Sequence, residues 1–468
     1  MKKLLFIVMG LLTINANAAD IYVNSSGQAG SYPTLAGALA AANNGDRILV
    51  SNIITLTETD TINKSVTIIS TSPGDQFELI GDLYVEAVAG LEIRIIGLSL
   101  NGSITALVGT ATEINRCQLF IVESEIVNGD INCDVAGLGL NLLYSRISEN
   151  DVILRFGKLI ANEIQGFHIT PGDSVNYNDT IFIIANVINS NPKWNIPTYY
   201  VPQSSWSLTL TNTTACNLID NNDHFFFLAN NYFKKPRTSS SRTSQLIIRK
   251  NNISANGGNI IQNNTIIGFY TGNYGICNNC YGGKQNFSGQ AITFHYSKSH
   301  EKTKILNNVF TCDQTGKFLL FGSGNGIAPN GPSLFPSSFH PELIQYNIFG
   351  VIYDGTIPPL ASSYVTDVIV IDQTNYYNNS NNGFTSNISY NSTTGKVTSG
   401  VAINGGKNLI DYYDIDMTRN DLGTYGGPYS WDNYWNTASG SARIYNLDLP
   451  FEIWSGQPNV KADAVHQK

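Results

Sequence analysis

Charge is scarce in this sequence. Only 13% of its 468 residues are Asp, Glu, Lys or Arg, about half the share of roughly 25% usual in globular domains. No basic block occurs and the sequence pI is near 5.3. The electrostatic footprint of a nucleic-acid binder is therefore missing. So is the polybasic patch that would hold a chain on an anionic membrane. Past the first residues no segment reaches 18 continuous apolar residues, so no transmembrane segment is expected in the mature chain. Cysteine is sparse at six residues. No second C-x-x-C accompanies Cys277-Asn-Asn-Cys280, so a four-thiolate zinc site is not expected.

Asparagine, by contrast, is abundant: 55 residues, beside 42 Gly. Both are poor helix formers, which argues against a helix-rich fold. The hydrophobic fraction of 42% is too high, and the net charge of −8 too small, for intrinsic disorder.

The N-terminus reads as a leader. Lys2-Lys3 form a positive start, Leu4 to Ile14 an apolar stretch, and Ala16-Asn17-Ala18 a small-x-small cleavage site. Residues 1–18 are thus expected to be a signal peptide, cleaved after Ala18. Cleavage would take the net charge from −8 to −10. The chain is expected outside the bacterial cytoplasm, secreted to the extracellular space or the periplasm. Six cysteines suit that compartment. The Cys277–Cys280 pair reads as a disulfide loop clip, with free thiols and redox or metal chemistry as alternatives.

Residues 35–42 carry Leu35, Ala38, Leu39 and Ala42 at helical spacing after Tyr32-Pro33-Thr34, which predicts one short amphipathic helix. Short β runs broken by Asn, Gly and Ser follow. A template of apolar, any, small-or-Asn, any fits at 95–98, 122–125, 143–146, 160–163 and 184–187, then at 228–231, 261–264, 305–308 and 344–347. Most steps are near one or two units of about 22 residues. That period, with β-rich units and no leucine frame, predicts a solenoid of about three short strands per turn, each pairing in parallel with its copy in the next turn. Asn162, Asn186, Asn230, Asn263 and Asn307 share one template position. There Asn can accept a left-handed bend and hydrogen-bond its own copy one coil away.

SYPTLAGALAAANNGDRILVS (31–51) resembles the N-terminal cap and first coil of right-handed parallel β-helix proteins of the pectin-lyase-like superfamily. IIGLSLNG (95–102) resembles their coil motif. DIDMTRNDLGTYGGP (414–428) is similar to a segment that closes many exported bacterial β-helices, with Met417 where Gly is more typical. The resemblance implies an all-β, right-handed parallel β-helix over 19–430, with a short N-terminal capping helix. Residues 431–468 are expected to form a small β-rich tail packed on the helix end.

In such a solenoid the loops carry function. Trp194, Tyr199, Tyr200 and Trp206 in one long loop, with Tyr270 and Tyr274 in another, form a candidate platform for sugar rings; the alternative is packing of the loops onto the coils. His295, beside Tyr296, is a weak general-base candidate. Glu125, Arg146 and Glu163 share the fourth template position on three successive coils, so they are expected to stack as minus, plus, minus. They are weak catalytic candidates, the alternative being a surface charge ladder. Asp414, Asp416 and Asp421 are weak Ca²⁺ candidates in a closing turn where Arg419 is expected to pair with an Asp; no other cofactor is implied. The functional expectation is a secreted or surface protein binding polysaccharide or a cell-surface glycan through its loops. The resemblance keeps open an enzyme, a polysaccharide lyase or glycoside hydrolase. A structural or adhesive surface protein is the third reading.

Overall fold

The computed structural model describes residues 18–170 (save 27, 73 and 150), 180–189, 194–196, 213–220, 225–234, 243–249, 259–267, 290–295, 303–312, 319–322, 343–351, 379–380, 383–385, 388–435 (save 399 and 415), 442–448 and 461–466. Among these residues three long sheets of 14, 12 and 11 strands run side by side, and every pairing along them is parallel. Within the first sheet the chain order is regular: Glu92–Ile96 pairs with Cys117–Val122, then Leu138–Leu143, Phe156–Ile160 and Thr180–Ile184. Strands of the second and third sheets are threaded between these in the same order. The fold is a parallel β-helix. Among the described residues twelve coils follow the opening pair of strands, Asp20–Val23 and Ser31–Tyr32, and the last begins at Asn379–Ser380.

Each strand alternates. Ile95, Ile121, Leu142, Leu159, Ile183, Leu228, Ile261 and Ile305 lie in register and form one inward column. Each is fully buried. Removing such side chains from water at roughly 25 cal/mol per Å² is the main favourable term.

The capping helix α1 spans Leu35–Ala41, with Leu35, Ala38 and Leu39 buried. Thr34 caps it, its side chain accepting from the Gly37 N–H. A second helix, Asp432–Trp435, was not legible in the sequence.

The asparagine expectation holds in kind but is displaced by one residue. At the corner between the first and second sheets, Gly97, Glu123, Tyr144, Ala161, Ala185, Asn230, Asn263, Asn307 and Tyr346 all have φ between 49° and 70°. A left-handed non-glycine residue costs roughly 1–2 kcal/mol, so something must hold these bends. The next residue does. Asn162, Asn186, Asn231, Asn264, Asn308 and Asn347 are fully buried. In each successive pair the backbone N–H and the side-chain Nδ2 both donate to the Oδ1 of the Asn one coil on, at 2.9–3.0 Å. On earlier coils the hydroxyls of Ser124 and Ser145 take only the acceptor's part in the ladder, receiving the N–H groups of Leu98 and Ser124, and donate to the carbonyls of Val122 and Leu143. The ladder thus passes from Asn186 to Asn231, not to Asn230. Spacing alone could not separate the two members of an Asn-Asn pair.

The same slip separates two residues that open the template alike. Ile305 faces the core, but Ile184 does not: Ile183 holds the inward column, and Ile184 lies on the outer face. It is nevertheless 4% exposed, because the segment ending at Trp435 covers it.

That segment is a lateral strap. The Lys407 N–H donates to Asn307 Oδ1. Asn263 Nδ2 donates to Asn420 Oδ1 and to the Asp421 carbonyl. Asn230 Nδ2 donates to the carbonyls of Thr424 and Gly426, and Trp435 Nε1 to the carbonyl of Ala185. Progressing toward its C-terminus, the strap descends from the tenth coil to the seventh along the side of the solenoid. The 414–428 segment therefore braces a flank rather than plugging the end. Arg419 does not pair with a carboxylate among the described residues; its Nε donates to the Gly406 carbonyl. Beyond the strap, Ala442–Asp448 and Lys461–His466 pair as an antiparallel ribbon.

Candidate functional site

The strap covers the outer face of the second sheet on its later coils, where Thr265 meets Thr424 at 3.0 Å and Val309 packs with Val397 and Leu422. On earlier coils the same outer column is open. In register it reads Thr55, Glu78, Ser99, Glu125, Arg146 and Glu163; the next member, Val187, is already buried against Trp431 of the strap.

Glu125, Arg146 and Glu163 stack as expected from the template. Arg146 Nη1 lies 3.5 Å from Glu125 Oε1 and its Nε 3.7 Å from Glu163 Oε2. Lys234 Nζ reaches Glu163 Oε1 at 3.9 Å. Asn189 Nδ2 donates to Glu163 Oε1, and Ser148 Oγ to Glu125 Oε1. The Arg146 side chain is 58% exposed, so these long contacts are screened by water and worth at most about 1 kcal/mol each. The result is a solvated row of alternating charge with one amide and one hydroxyl along its flank. Lys234, Asn189 and Ser148 were missed in the sequence. They sit on the next outward position of the short second-sheet strands, a signal visible only once those strands are aligned.

The other candidates are dispersed. Trp194 opens the short strand Trp194–Ile196, which pairs antiparallel with Thr213–Asp220, Trp194 opposite Ala215. Tyr199, Tyr200, Trp206, Tyr270, Tyr274, Cys277 and Cys280 lie outside the described residues. His295 ends the strand Gln290–His295, opposite Arg249 and Gly322 in the third sheet. It does not share a sheet with the Glu125–Arg146–Glu163 row.

The three aspartates of the strap each serve a local turn. Asp414 accepts from the N–H groups of Asp421 and Gly427. Asp416 accepts from the Thr418 N–H and hydroxyl, and Asp421 from the Asn404 N–H. Burial pushes Asp414 up to about 6, against the lowering effect of its two N–H donors. Among the described residues no three His, Cys, Asp or Glu side chains converge as a metal site. Cys117, Cys133 and Cys216 are buried free thiols, and burial pushes Cys117 up to about 11 and Cys133 up to about 12. That is the profile of inert core cysteines.

One cluster went unread in the sequence. Tyr425, Trp431 and Trp435 stack in series, with ring centroids 6.2 and 4.9 Å apart, and Lys396 Nζ lies 4.6 Å from the Tyr425 ring centroid. Their ring faces are spent on one another and on the coil wall, so the stack fastens the strap.

Fold and surface together define a parallel β-helix protein with a lateral strap and one open polar flank. No family model, no curated protein and no solved structure matches this chain.

Proposed function

We propose that this is an exported β-helix protein that binds polysaccharide along the outer face of its second sheet. The observation that carries the reading is the Glu125–Arg146–Glu163–Lys234 row, in which Arg146 is exposed and the other three are half-buried, with Asn189 and Ser148 beside it. Carboxylates, guanidinium and amides are the groups that read sugar hydroxyls and uronate carboxylates. Their contacts to one another are long and solvated, so a ligand can replace them at small cost. Coils repeat at about 4.8 Å, close to the length of one sugar ring, which suits an extended chain laid along the axis. The long loops with Trp194, Tyr199, Tyr200, Trp206, Tyr270 and Tyr274 would add stacking surfaces to the same ligand class.

The second reading is a polysaccharide lyase or glycoside hydrolase. It is favoured by two carboxylates flanking one Arg on consecutive coils, since glycoside hydrolysis needs paired carboxylates. Two assays separate the readings. On a glycan array the protein is expected to retain an acidic polysaccharide, and Arg146→Ala with Lys234→Ala to weaken retention at least tenfold. Release of shortened or unsaturated products from the retained glycan would establish the enzyme. Failure to retain any glycan, with adhesion to cells or protein surfaces intact, would sink both and leave a structural or adhesive role.

A further inference from the structure

The peptide nitrogen of Ala19 sits 2.8 Å from Asp46 Oδ1. Ala19 is the residue that follows the Ala16-Asn17-Ala18 cleavage signature. We propose that hydrolysis of the Ala18–Ala19 bond makes a structural site: the new α-ammonium of Ala19 forms an ion pair with Asp46 and locks the first coil.

Asp46 is built to receive a cation. Its residue is 5% exposed. The other carboxylate oxygen, Oδ2, accepts the Asn43 N–H at 2.7 Å, which fixes the direction of Oδ1. The N–H donors of Asn43 and Ala19 hold its carboxyl below the usual range, with Lys64 adding to the effect. It is therefore ionised at any neutral pH. Ala19 is itself pinned, because its carbonyl accepts the Arg47 N–H at 2.9 Å. The next residue extends the same contact: Arg47 Nε and Nη2 bind both oxygens of Asp20 at 2.7 Å. Asp20, Arg47 and Lys64 are the charged groups around the pair. Lys64 is turned to the carbonyls of Leu39, Ala40 and Ala42.

Ala18 and Ala19 are both exposed, so a peptidase can reach the bond without unfolding the coil. Water adds across it, the carboxylate leaves with Ala18, and the amine stays where the amide was. The N–H···O⁻ contact, already strengthened by the carboxylate's charge, gains a positive donor and with it a Coulombic attraction between the two groups. Order in the cap is thereby coupled to removal of the leader.

The exported protein is first sequenced from its N-terminus; Ala19 is expected, and any other first residue overturns the proposal. The mature chain is then compared with the same chain acetylated at Ala19, by hydrogen exchange of peptides covering 20–23 and 47–50. Exchange is expected to be about five- to tenfold slower with the free amine, and the difference to vanish in Asp46→Asn. Equal exchange in the two chains, or a difference that survives Asp46→Asn, overturns it. Should Asp46→Asn fail to fold, acylation of the Ala19 amine in the native chain decides. Slower labelling at pH 8 than in the denatured chain supports the pair, and equal rates refute it.

Discussion

Glu58 and Lys64 hold opposite ends of one helix. Glu58 accepts the free N–H groups of Leu35 and Ala36, at 2.7 and 3.2 Å. Lys64 Nζ donates to the carbonyls of Leu39, Ala40 and Ala42 at 2.7–3.1 Å. Both residues flank the third-sheet strand Asp60–Ile62 of the first coil. A seven-residue helix is too short to persist alone. Here its orphan backbone groups and its dipole are both satisfied by the coil it covers. Each of Glu58→Ala and Lys64→Ala is expected to destabilise the cap by about 1 kcal/mol. Hydrogen exchange of residues 35–42 checks this, and unchanged protection in both variants would refute the clamp.

Acid should strengthen this fold locally. Asp60 occupies the inward column that continues as Leu83, Ile104 and Ile131. Burial, then Glu58, pushes its carboxyl up to about 6. An unfolded Asp loses its proton near 3.9. Between those values the folded chain binds more protons than the unfolded chain, so stability falls as pH rises from about 4 to about 6 and is flat above. Asp414, also raised to about 6, acts in the same direction. Asp60→Asn is expected to flatten part of this slope in denaturant titrations; an undiminished slope would contradict it.

The inner amide ladder should be costly to break. Asn264→Ala leaves the buried Asn231 N–H without its Oδ1 acceptor, removes one of the three bonds of Asn231 Nδ2, and takes the Nδ2 donor from the carbonyls of Leu228 and Gln262, the second of which keeps the Asn230 N–H. The orphaned N–H costs about 1–3 kcal/mol and each lost bond about 0.5–1.5 kcal/mol, so a loss of about 3 kcal/mol is expected by denaturant unfolding. Asn264→Ser should lose less, since Ser124 and Ser145 already serve on other coils.

Ile305→Asp and Ile184→Asp should differ in kind. The first places a charge in the core and is expected to cost more than about 4 kcal/mol. The second should loosen the strap, read as faster exchange over 425–435, while the coils stay folded by circular dichroism. Equal global loss from both would show that strap and coils unfold as one.

Arg146→Ala should leave stability within about 1 kcal/mol of the parent. A larger loss in thermal melts would mean that the charged row is a structural element rather than a surface free to meet a ligand.

Much of this was legible in local sequence. The helix at 35–41, the coil period, and the minus-plus-minus stack of Glu125, Arg146 and Glu163 follow from spacing, because a solenoid stacks near-copies at nearly constant intervals. The ladder residue was missed in the Asn-Asn pairs because both members are asparagine. The backbone assigns them different work: Asn230 takes the left-handed bend and turns outward, while Asn231 turns inward. Met417 was flagged as standing where Gly is more typical, and it adopts φ 65°.

The amino-acid sequence by itself determined the repeated coil, since apolar alternation and corner asparagines are nearest-neighbour features in a one-dimensional stack. Only the tertiary structure decided that residues 395–435 return along the flank, bringing Trp435 to Ala185 and Gly426 to Asn230. Those contacts join residues roughly 200 or more positions apart, and no periodicity encodes where a non-repeating segment will lie. Which outer face stays open to a ligand depends on that return path.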